Sequence, residues 1–126
     1  MRPKTIQIVF IVLVMLCFTL QCSKIKTAPE DLIGVWKTSD PKYEDRFLEI
    51  DRSTITFGKG GGDSDTHPIT SIEVEKGPEA KGNLYTIAYK DKEGQKFNFL
   101  IYYDPANQGT IRFKNQDQIE WTREKK

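Results

Sequence analysis

The 126-residue chain has two cysteines, Cys17 and Cys22, and none after residue 22. Any domain built from the remainder therefore has no disulfide and no thiol chemistry, and its stability has to come from packing. Histidine is nearly absent too. With His67 as its one imidazole and no G-x-S-x-G elbow, a serine-hydrolase arrangement would rest on a single base inside a glycine-rich segment, so no catalytic residue is assigned. Charge of one sign is not in excess. Without Arg2 and Lys4, the 19 basic residues fall to 17 against 18 acidic ones, which leaves no basic stripe for nucleic acid. No stretch sustains a 3.6-residue apolar period, so helix is expected to be minor beyond the first residues.

What the chain does have begins with a basic start, Arg2 and Lys4, followed by the apolar run Ile8 to Phe18. A run of about 11 residues suits a secretory leader. As a helix it would rise roughly 17 Å, well short of roughly 30 Å of bilayer hydrocarbon. Phe18-Thr19-Leu20-Gln21-Cys22-Ser23 resembles a bacterial lipoprotein signal, in which the cysteine becomes the acylated first residue of the mature protein. The family pattern has a small residue before the cysteine and Leu three before it, whereas this chain has Gln21 and Thr19. An uncleaved anchor or a plain secretory cut near the same place would also put the domain outside the cytoplasm. The resemblance implies a signal helix over 1–21, a lipid on Cys22 and a membrane as first partner. Ser23, in place of the Asp that marks inner-membrane retention in enteric bacteria, favours the outer membrane, with the domain facing the periplasm.

Polar residues with Pro29 predict a flexible linker over 22–31, and a folded domain over 32–126. Short extended segments follow in succession: Leu32 to Thr38, Asp45 to Asp51, Thr54 to Phe57, Ile69 to Lys76, Leu84 to Lys90, Lys96 to Tyr103, Thr110 to Lys114, and a last one containing Ile119, Trp121 and Arg123. Gly58 to Pro68 is expected to be a loop, because three consecutive glycines favour disorder and no apolar residue anchors it. About eight sequential antiparallel strands hide their edges best by closing, so the expected fold is all-β, a small up-and-down barrel.

Gly34-Val35-Trp36 on the first strand resembles the G-x-W opening of the lipocalin and fatty-acid-binding (calycin) superfamily. The resemblance implies that Trp36 closes one barrel end beneath a basic residue late in the chain, Arg123 or else Arg112. It also implies a small hydrophobic ligand inside, with Tyr85, Tyr89, Phe97, Phe99, Tyr103 and Trp121 as lining candidates. Phe57 and Phe113 also have inward parity, and this many bulky residues can fill an eight-stranded barrel outright. The alternative is thus a filled barrel acting as an envelope interaction or structural module, with Leu84, Ala88, Leu100 and Tyr102 as an outward apolar strip. No cofactor is expected. Asp63, Asp65 and His67 alternate like metal ligands but are expected to be a solvated turn. Glu73 and Glu75, about 7 Å apart by strand rise, are expected to be strand exterior.

Overall fold

A computed structural model describes residues 23–124; the expected leader and Cys22 lie outside the described residues. Nine strands are hydrogen-bonded in one sheet: β1 (Ser23–Ile25), β2 (Gly34–Lys37), β3 (Phe47–Ile50), β4 (Thr54–Gly60), β5 (Asp63–Glu75), β6 (Asn83–Lys90), β7 (Lys96–Asp104), β8 (Thr110–Phe113) and β9 (Gln116–Arg123). Every pairing is antiparallel. Neighbours in sequence are neighbours in space from β2 to β9, and β2 pairs with β9, which closes an eight-stranded up-and-down barrel. Closure leaves no full-length edge to template another chain.

The long strand β5 makes the corner. Its first half pairs with β4, from Asp63 opposite Gly60 to Pro68 opposite Thr54, and its second half pairs with β6 after a register shift between Ile69 and Ser71. Pro68 has no N–H to give to a ladder, and a strand's changeover point tolerates that loss.

The segment expected to be the Gly58 to Pro68 loop is instead the β4–β5 hairpin, turned by Gly60, Gly61 and Gly62, all at positive φ. Polarity misled the expectation, because at a barrel rim strand residues need no apolar partner. Thr56 and Thr66 share a hydrogen bond at 2.8 Å, and Lys59 holds Asp65 at 2.7 Å.

The expected linker is also ordered. Ser23, Lys24 and Ile25 pair with Val74, Glu73 and Ile72 along the part of β5 that β4 leaves uncovered. Ala28 is buried, and its N–H donates to the Arg52 carbonyl at 2.8 Å. Leu32, expected to open the first strand, is fully buried in a 3₁₀ turn (Glu30–Leu32) instead. Small apolar residues in a polar stretch thus provide anchor points that composition does not reveal.

The core is largely isoleucine. Ile50, Ile55, Ile72, Ile87, Ile101 and Ile111 are each fully buried in one cluster with Leu48, Leu32 and Trp36. The six isoleucines come from six different strands, β3 to β8, and meet in the barrel interior. At roughly 1.5–3 kcal/mol for each fully buried aliphatic side chain, they supply most of the driving force. The barrel's middle is therefore filled with side chains.

The outward apolar strip is only partly present. Leu84 is buried on the side opposite the core cluster, and Tyr102 lies under the Lys81 ammonium at 5.5 Å. Lys81 continues to Asp117 on β9, so the β5–β6 connection covers part of the surface that parity alone would leave bare.

Candidate ligand-binding mouth

Strand directions define two ends. One carries the chain entry, the turns at 51–53, 76–82 and 105–109, and the C-terminal end of β9. The other carries the turns at 38–46, 60–62, 91–95 and 114–115.

The first end is shut. Trp36 is fully buried and its indole N–H donates to the Leu32 carbonyl at 3.0 Å, so the 3₁₀ turn and the first barrel strand lock together. Arg123 lies opposite Trp36 in register, with its guanidinium 4.7 Å from the ring centroid. The same guanidinium donates to the Asp31 carbonyl, which ties the C-terminal strand to the entry turn. Gly34 has φ +148°, where an L side chain is strained, and a Cβ there would press on the Arg123 side chain at 3.1 Å. Arg112 is occupied elsewhere, with Glu120 at 2.5 Å and the Asp117 carbonyl at 3.0 Å. Tyr103 meets Trp36 edge-on at 6.2 Å, and Tyr85 meets Tyr103 at 6.3 Å.

The opposite end is ringed by aromatic side chains. Phe97 stacks on Tyr89 at 5.6 Å and Tyr89 on His67 at 5.1 Å, while Phe57 meets Tyr89 at 5.5 Å and Phe99 at 5.2 Å. Phe99 meets Phe113 at 5.0 Å, Phe113 stacks on Trp121 at 4.7 Å, and Trp121 faces Tyr43 at 6.1 Å. Each such pair contributes about 0.5–1.5 kcal/mol beyond area burial, so the ring is stiff as well as apolar. Local sequence places Tyr43: the Asp40 carboxylate caps the 3₁₀ turn Pro41–Tyr43 by accepting from the Lys42 N–H at 2.9 Å, and Gln116 donates to the Tyr43 hydroxyl at 2.8 Å.

Between Tyr43 and Arg46 on one side and Phe57, Phe99, Phe113 and Trp121 on the other lies a cleft of about 320 Å³. A larger cleft of about 510 Å³ runs over Asn107 to Gly109 and Thr122 to Glu124, but it has no aromatic wall. A third, of about 420 Å³, lies beside Leu100 and Lys114, and it shares Phe99 and Asn115 with the mouth.

The lining candidates thus separate. Phe99 and Trp121 wall the mouth cleft, Tyr89 and Phe97 belong to the aromatic ring, and Tyr85 and Tyr103 pack at the shut end. Phe97 is 43% exposed at the rim rather than inside. Tyr43, Arg46 and Gln116 escape sequence reasoning because they lie on a turn and on a strand start. The one available signal is the Asp40-Pro41 cap that fixes where Tyr43 points.

Electrostatics at the mouth are mostly settled within the β4–β5 hairpin. Lys59 reaches Asp65 at 2.7 Å and Asp63 at 3.7 Å. The Lys59 hydrogen bond is what holds the Asp65 carboxyl below its ordinary value of 3.8. A depressed carboxylate favours the fold above its ordinary pKa and loses that contribution as pH falls through the lower folded value. Lys59→Met should return Asp65 to the ordinary carboxylate range in an NMR titration; an unmoved Asp65 would mean that the pair does not form. Burial raises the Tyr89 hydroxyl pKa, with the Asp91 charge adding to it. Burial, then the Asp31 charge, does the same for Tyr85. Among the described residues no cluster of metal-ligating side chains occurs, and Glu73 and Glu75 are exposed, Glu73 opposite Lys24. Among the described residues, three buried side-chain polar atoms have no protein hydrogen-bond partner: His67 Nδ1 and Trp121 Nε1 in the aromatic ring, and Arg123 Nε at the shut end.

A closed eight-stranded antiparallel barrel, shut by a tryptophan beneath an arginine, is lipocalin-like, or calycin-like, in fold. No family model, curated protein or solved structure matches the chain.

Proposed function

We propose that this protein is a lipid-anchored extracytoplasmic barrel that holds a small hydrophobic ligand at its open mouth and has no enzymatic role. The observation that carries the reading is the aromatic ring around a 320 Å³ cleft, set above a core of fully buried isoleucines. Ligand sites are concave, largely apolar and served by a few polar groups. The mouth combines Phe57, Phe99, Phe113 and Trp121 with Arg46 and Gln116.

The chain entry supports the anchor. Ser23, the first described residue, pairs with Val74 near the shut end, so a tether that reaches the domain there leaves the mouth facing away from the membrane. One acyl chain binds a membrane only marginally, whereas several hold firmly. The full chain expressed in a bacterium should fractionate with membranes, outer membrane above inner, and its first tryptic peptide should carry acyl mass on Cys22. Cys22→Ser should release it or leave it unprocessed. Native mass spectrometry of the isolated protein should find a bound small molecule. An unacylated Cys22 removes the anchor, and failure to retain any hydrophobic compound removes the carrier.

A filled module that docks an envelope protein is the second reading, and β7 favours it. β8 is short, so Lys96 to Phe99 extend beyond the last β7–β8 pair, Ile101 with Phe113. The Lys114 N–H donates to the Leu100 carbonyl, which by strand parity turns the backbone groups of Lys96 and Asn98 to the same uncovered side. Crosslinking that recovers one envelope protein through this edge, with no small molecule at the mouth, would favour it over the carrier.

A further inference from the structure

We propose that the mouth selects a compact, ring-bearing organic anion of about two fused rings and rejects an extended acyl chain. This rests on the ligand-binding reading above and makes its chemistry specific.

The first reason is depth. An acyl chain is accommodated by running along a barrel's axis, and here that axis is occupied by Ile50, Ile55, Ile87, Ile101 and Ile111, each fully buried. Opening a channel would mean displacing side chains packed at crystal-like density. The ligand is therefore confined to the rim. The second reason is size. An enclosed cavity of about 150 Å³ takes one benzene, and the open mouth cleft of about 320 Å³ has room for two fused rings.

The third reason is the chemistry of the walls. Phe57, Phe99, Phe113 and Trp121 present ring faces and edges, with Leu48 the one aliphatic side chain lining the cleft. Flat rings in fixed mutual orientations pair with another flat ring by offset or edge-on contact, a preference a flexible aliphatic wall does not have. Phe113 and Trp121 are stacked face to face at 4.7 Å, 17° from parallel, and Trp121 is 3% exposed, so a planar ligand meets this pair edge-on.

Charge supplies the fourth reason. Two cations line the cleft, Arg46 and Lys59. Lys59 is neutralised by Asp65 and Asp63, whereas Arg46 has no carboxylate within ion-pair distance among the described residues. Its guanidinium lies 5.5 Å from the Tyr43 ring centroid at the lip of the cleft. A planar guanidinium in that place pairs with a carboxylate or sulfonate carried at the edge of the ligand.

The test is an NMR titration of the full chain reconstituted in phosphatidylcholine nanodiscs, with protein-free nanodiscs as blank. The probes are 2-naphthoate, 2-naphthol and decanoate, and the readout is the Trp121 indole N–H signal, with Trp36 as the internal control at the shut end. 2-Naphthoate should shift Trp121 and leave Trp36 still. Decanoate should bind at least tenfold more weakly. Arg46→Gln should weaken 2-naphthoate by about three- to fivefold, the scale of an exposed ion pair, and leave 2-naphthol unchanged. Decanoate binding as tightly as 2-naphthoate, with Trp121 responding, would overturn the ligand class and leave the carrier standing. If no probe moves Trp121, the class and the mouth site fail together. If Arg46→Gln weakens 2-naphthoate and 2-naphthol equally, the anionic group is wrong.

Discussion

Trp36→Ala should cost about 3–5 kcal/mol, the range for emptying a fully buried large aromatic site. Trp36 has no exposed surface, and it joins three parts of the chain at once: the Leu32 carbonyl at 3.0 Å, the Arg123 guanidinium at 4.7 Å and the Tyr103 ring at 6.2 Å. A domain of this size has about 5–15 kcal/mol in all, so the variant should unfold at a much lower urea concentration. Trp36→Phe should lose less, because it keeps much of the volume while giving up the indole N–H. Arg123→Ala should fall below both, since it removes the ring contact and the link to Asp31 without opening the core. Urea midpoints for the three, compared at one slope, check the order. Equal losses for Trp36→Ala and Arg123→Ala would show that the arginine, and not the tryptophan volume, closes this end.

Gly82→Ala is expected to be nearly as damaging, although it adds a single methyl group at a position that is not an apolar core site. Gly82 has φ +90°, and a Cβ there would lie 2.0 Å from the Tyr103 carbonyl oxygen. The obstacle is backbone in the barrel wall, so no side-chain rotation relieves it. A left-handed alanine costs about 1–2 kcal/mol, and forced overpacking about 1–3 kcal/mol. Together these place the loss at about 2–5 kcal/mol. Gly61→Ala is the matched control: its φ is +64°, but nothing lies within 4 Å of the added carbon. It should lose only the conformational part. Calorimetric midpoints should therefore separate the two glycines, and equal shifts would mean that the β5–β6 connection does not press against β7.

Much of the barrel is legible in the sequence, because strands half-buried between core and solvent repeat every two residues. Ile55 and Phe57, Ile72 and Val74, Tyr85 and Ile87, and Ile101 and Tyr103 all carry that alternation, and each pair packs in the core cluster or against it. Alternation depends on an apolar inside, and it fails where the inside is a rim. This is why Gly58 to Pro68 resembled a loop although it forms two paired strands. A similar blindness covered Ser23 to Ile25, a three-residue strand too short to show any period. The Gly34-Val35-Trp36 opening marked the shut end, but the choice between Arg112 and Arg123 depended on register across strands far apart in sequence.

The sequence alone determined that the domain after residue 22 would be all-β, closed and free of disulfides, since those properties follow from period, strand succession and composition. It also marked Cys22 as the residue to test for a lipid. Only the tertiary structure decided where space remains. Inward parity gave Tyr85, Tyr103, Phe99 and Trp121 the same standing, yet strand position carries Tyr85 and Tyr103 to the shut end and Phe99 to the mouth, while Trp121, opposite Ile111 in register, reaches the mouth cleft only through its side chain. A cleft is a property of what side chains from many strands leave unfilled together, and no local pattern along one strand records that.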